Sequence, residues 1–68
     1  MITTLKELKV KYPGLITTSG NTYNIDGLGI FKQRNTRFGL MTYTKDYDDS
    51  WIRTDIKELA YWMEKIYG

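Results

Sequence analysis

Apolar positions along the chain change their spacing twice. Leu5, Leu8 and Tyr12 recur at helical intervals behind Thr4-Leu-Lys-Glu7, a capping box in which the Thr hydroxyl and Glu carboxylate satisfy exposed amide donors, and Pro13-Gly14 ends the run. Beyond it "LITT", "TYNI", "LGIFK" and "TRFGLMTY" are rich in β-branched and aromatic residues and are separated by Ser19-Gly20-Asn21, Asp26-Gly27 and Gln33-Arg34-Asn35. These segments predict a meander of antiparallel strands. Helical spacing returns after the box-like Asp55-Ile-Lys-Glu58, where Ile56, Leu59, Ala60, Met63, Ile66 and Tyr67 share one arc and Gly68 supplies a stop.

The expected fold is α+β: a small antiparallel meander of three to four strands, with an N-terminal and a C-terminal helix packed on one face. A two-residue turn at Asp26-Gly27 places Ile25 opposite Leu28 and Tyr23 opposite Ile30. A three-residue turn with Asn35 in the left-handed region then pairs Ile30 with Phe38 and Leu28 with Leu40. In that register Ile16, Tyr23, Ile25, Leu28, Ile30, Phe38 and Leu40 face the helices. The opposite face stays open and carries Gly29, Phe31, Arg37, Gly39, Met41 and Tyr43, with Lys32, Arg34 and Lys45 at its rim.

Composition narrows the chemistry. Residues 1–68 suffice for a single small domain, near the lower size limit for a self-sufficient core. Cysteine and histidine are both absent, which excludes disulfides, thiolate chemistry, zinc fingers and imidazole acid–base catalysis. No apolar run approaches the length of a membrane span, so a cytoplasmic protein without membrane partners is expected. Alanine and proline occur once each amid frequent Thr, Tyr, Asn, Ile and Lys, a bias that fits an AT-rich source of the phage or mobile-element kind. The net charge of +2 conceals an asymmetry: residues 1–45 hold seven basic side chains against two acidic, and residues 46–68 hold three against six.

Asp46, Asp48 and Ser50 have the one-three-five spacing of a calcium loop, but the sixth position is Trp51 rather than glycine and the twelfth is Lys57 rather than glutamate. No metal or other cofactor is expected there. The segment reads instead as a solvated loop with Trp51 anchored in the core, or as an acidic patch of Asp46, Tyr47, Asp48 and Asp49. Asp55 and Glu58 are explained by helix capping, and no nucleophile sits in a recognisable elbow, so the chain does not read as an enzyme.

The leading expectation is non-enzymatic binding of nucleic acid, DNA or RNA, by the open face and the 32–37 turn. Phe31 and Tyr43 would stack on bases while Lys32, Arg34, Arg37 and Lys45 neutralise phosphates. The alternative is an inhibitor of a host nucleic-acid-handling protein, of the anti-restriction or anti-CRISPR kind, acting through the 46–49 loop and exposed aromatics such as Tyr61. A homodimer that buries the open face is the third reading.

Overall fold

The structure, a computed structural model, describes residues 2–68. Helix α1 (Leu5–Lys11) is followed by strands β1 (Ile16–Ser19), β2 (Thr22–Ile25), β3 (Gly29–Thr36), β4 (Gly39–Lys45) and β5 (Trp51–Thr54), and by helix α2 (Ile56–Tyr67). The strands form one antiparallel sheet in sequential order, and both helices pack on the same face. The α+β class and the element order agree with the sequence. The sheet has five strands rather than three or four, because "WIRT" pairs with β4 instead of lying in a loop.

Both helices start where the sequence places them. The Glu7 N–H donates to Thr4 Oγ1 and the Thr4 N–H donates to Glu7 Oε1, each at 3.1 Å, which completes the capping box. Hydrogen bonds from the Thr3 amide first, and then from the Thr3 and Thr4 hydroxyls, hold the Glu7 carboxyl below its usual range. Asp55 caps α2 by accepting from the Lys57 N–H at 2.9 Å. Leu5, Leu8 and Tyr12 from α1 and Leu59 and Met63 from α2 meet Ile16, Ile25 and Phe31 from the sheet in one core.

Between β2 and β3 the register differs from the expected one by a single residue, which exchanges the faces of β3, and between β3 and β4 the expected pairs Ile30–Phe38 and Leu28–Leu40 are replaced by Phe31–Thr44 through Thr36–Gly39. Asp26-Gly27-Leu28 is a three-residue connection, with the Leu28 N–H donating to the Ile25 carbonyl, and Ile25 pairs with Gly29 rather than Leu28. Phe31 therefore faces the helices and Ile30 the other side. Energetics favour this outcome. Phe31 is only 5% exposed, and burying a phenyl ring excludes more apolar surface than burying an isoleucine. The same slip also turns Lys32 and Arg34 out from under the helices, where unpaired charge would be costly. Gln33 turns in instead and finds partners for both ends of its amide. Its Oε1 accepts from the Leu5 N–H at 2.8 Å, and its Nε2 donates to Thr42 Oγ1 at 2.9 Å.

The next turn also departs from expectation. Asn35 is not left-handed; it lies within β3 opposite Leu40, and the connection is Arg37-Phe38 between Thr36 and Gly39. Thr36 Oγ1 accepts from the Phe38 N–H and donates to the Gly39 carbonyl, and Gly39 takes the positive φ of 107° that closes the hairpin. Gly39→Val should accordingly cost about 1–3 kcal/mol, whereas Asn35→Val should change stability by less than about 1 kcal/mol. Urea denaturation of the two variants checks the assignment, and it would fail if Asn35→Val were the more damaging.

Candidate nucleic-acid interface

The alternation of the strands builds the surface opposite the helices. Thr22, Lys32, Tyr43 and Arg53 stand directly opposite one another across β2, β3, β4 and β5. To one side of this row Arg34 lies opposite Met41. To the other, Asn24 lies opposite Ile30 and Lys45 opposite Trp51. Cationic and aromatic or aliphatic side chains thus interleave over the central strands, and no acidic residue occurs between Gly27 and Lys45.

Trp51 is the hub of this surface. Lys32 Nζ lies 4.2 Å from the centre of its ring and Lys45 Nζ lies 5.5 Å away. Such contacts draw the ammonium groups onto the ring face while leaving their charge uncancelled. Lys45 is partly neutralised, because its Nζ also lies 3.8 Å from Asp49 Oδ1 at the edge of the sheet. Among the described residues no carboxylate forms a salt bridge with Lys32, Arg34, Arg37 or Arg53.

Of the residues singled out in the sequence, Tyr43, Lys32, Arg34 and Lys45 share the open face, and Arg37 lies in the β3–β4 turn at one end. The two lysines and Arg34 belong to its body rather than its rim. Phe31 is not on this face; it is a core residue, and the slip that buries it removes it as a stacking platform. Ile30 moves the opposite way, while Leu28 and Phe38 lie in turns and are exposed. Trp51, expected in the core, and Arg53 are the residues that sequence reasoning missed. Their signal is the alternation of "WIRT", which places Trp51 and Arg53 on one side and Ile52 and Thr54 on the other.

The acidic segment forms an ordered β4–β5 connection at the far end of the sheet from Arg37. The Tyr47 N–H donates to Asp46 Oδ1 and the Ser50 N–H to Asp48 Oδ1, while Asp49 takes a φ of 67°. Tyr47 is fully exposed at its tip. Tyr61 is elsewhere: it lines a groove between the helices with Ile2, Lys11, Lys57 and Glu64, its ring under Lys65 Nζ at 5.5 Å. Among the described residues no helix is long and apolar enough to cross a membrane, and no acidic cluster is arranged to hold a metal ion. Compared with protein-family models, curated proteins and solved structures, the chain matches none.

Proposed function

We propose that this chain is a non-enzymatic nucleic-acid-binding protein that engages its ligand through the open sheet face. The observation that carries the reading is the grouping of Lys32, Arg34, Lys45 and Arg53 with Tyr43, Met41 and Trp51 on a face that neither helix covers. Cations at strand spacing follow a phosphate backbone, and the rings between them supply contact area without competing negative charge. Arg37 extends the positive surface past the last paired row. Phe31 acts from beneath, as the core residue that holds β3 in register.

A second reading rests on Tyr47. A fully exposed tyrosine at the tip of a hydrogen-bonded acidic loop is suited to meet a basic protein surface, as in an inhibitor of a nucleic-acid-handling enzyme. Asp49 separates the two. Its neutralisation releases Lys45 and removes repulsion from phosphates, so Asp49→Asn should strengthen duplex binding by up to about fivefold, the value of an exposed ion pair. Asparagine tolerates the left-handed backbone of that position, so the fold is preserved. Fluorescence anisotropy with a labelled duplex measures the effect. Absence of binding by the wild type, together with capture of a basic partner that Asp48→Lys with Asp49→Lys abolishes, would favour the inhibitor.

A further inference from the structure

The β3–β4 hairpin is longer than its neighbours. β2 accompanies β3 only as far as Lys32, and β5 joins β4 only at Thr42, so "RNTRFGLM", residues 34–41, forms a two-stranded ribbon with no further strand on either side. Its polar ends are unoccupied: among the described residues no hydrogen bond or ion pair engages the side chains of Arg34, Asn35 or Arg37, whereas Thr36 is used to close the turn. Phe38, at the tip, is 79% exposed.

We propose that the ligand is double-stranded B-form DNA, with this ribbon in the major groove reading sequence; the inference rests on the nucleic-acid reading above and names its substrate class. Arginine matches the O6 and N7 acceptors of guanine, asparagine the N6 and N7 of adenine, and an aromatic ring the thymine methyl, so the ribbon holds a set of base-reading side chains. Its width suits the site as well. The major groove of B-form DNA, about 12 Å wide and 8.5 Å deep, admits a two-stranded ribbon, while the deep, narrow major groove of A-form RNA does not.

The hairpin is also long enough to reach the bases from the backbone. At a rise of roughly 3.3 Å per residue, Arg37 stands roughly 16 Å along the hairpin from Lys32, further than the groove is deep. Lys32 and Arg53, in the row behind the ribbon, can therefore rest on phosphates at the groove edge while the tip meets the bases. The 46–49 loop is carried at the other end of β4, away from the ribbon that enters the groove. Stacking of a single strand is less well served, since Phe31 is buried and Lys32 already occupies a face of Trp51.

Selection of duplexes from a random library by the full chain tests this. A short guanine-containing motif should emerge, and 7-deazaguanine at its guanines, which removes the N7 acceptor, should lower affinity. Arg34→Ala and Arg37→Ala should each weaken binding to the selected site by about five- to a hundredfold and relax preference at one position, with a much smaller loss on unrelated duplex. Lys45→Ala should weaken all duplexes alike. Binding without any enriched motif, an equal loss on every sequence in both arginine variants, or tighter binding to RNA or a single strand would each overturn the inference and leave nucleic-acid binding standing. Failure to bind any nucleic acid would overturn both.

Discussion

Phe31→Ala should destabilise the protein by about 3–5 kcal/mol, the cost of removing a buried phenyl ring and leaving the cavity behind. A chain of 68 residues is expected to have a total stability of only about 3–10 kcal/mol, so the variant should lose a large share of it. The ring sits in the core shared by Ile25, Leu59 and Met63, on the side of β3 that the helices cover. Ile30, its neighbour on the open face, is the control: Ile30→Thr should cost about 1 kcal/mol or less, because threonine keeps the β-branched shape on a partly exposed strand surface. Circular dichroism during urea denaturation reads both. If Phe31→Ala melted like the wild type and Ile30→Thr did not, the faces of β3 would be reversed, and Lys32 and Arg34 would leave the proposed interface with them.

The same pair of residues shows where sequence was sufficient and where it was not. The helix starts were legible because Thr4 and Asp55 announce themselves through local chemistry that needs nothing from the rest of the fold. Asp26-Gly27 marked a turn, but its chemistry pointed to a two-residue connection where the chain makes a three-residue one, and a difference of one residue inverts a strand. Settling it requires the packing of Phe31 against residues from both helices, which lie far away along the chain. β5 escaped detection because four residues beside an aspartate-rich loop carry little periodicity until β4 is set against them. The candidate site was legible as a cluster of cations near Tyr43 because the basic residues crowd a short stretch of sequence. Arg53 and Trp51 join that cluster only through strand pairing.

Replacing both Lys32 and Arg53 with alanine should weaken binding to every duplex, whatever its sequence. The two flank Tyr43 in one row, neither forms a salt bridge among the described residues, and together they are the proposed phosphate anchors. Each cation that stops contacting a phosphate removes about 0.9 from the slope of log affinity against log salt, so the double variant should flatten it by about 1.8. At about 0.1 M salt, one decade below 1 M, that corresponds to a loss of roughly sixtyfold in duplex affinity. Both side chains project from the sheet surface, so thermal denaturation of the variant should stay close to the wild type. A large loss of stability would show that the pair holds the fold instead.

The central claim is that the face opposite the helices is a phosphate-binding surface, and a salt titration of the unaltered chain against a labelled duplex tests it most directly. With Lys32, Lys45 and Arg53 neutralising phosphates, log affinity should fall linearly with log salt at a slope of about −2.7. An affinity that does not change with salt, or no binding even at low ionic strength, would contradict the account.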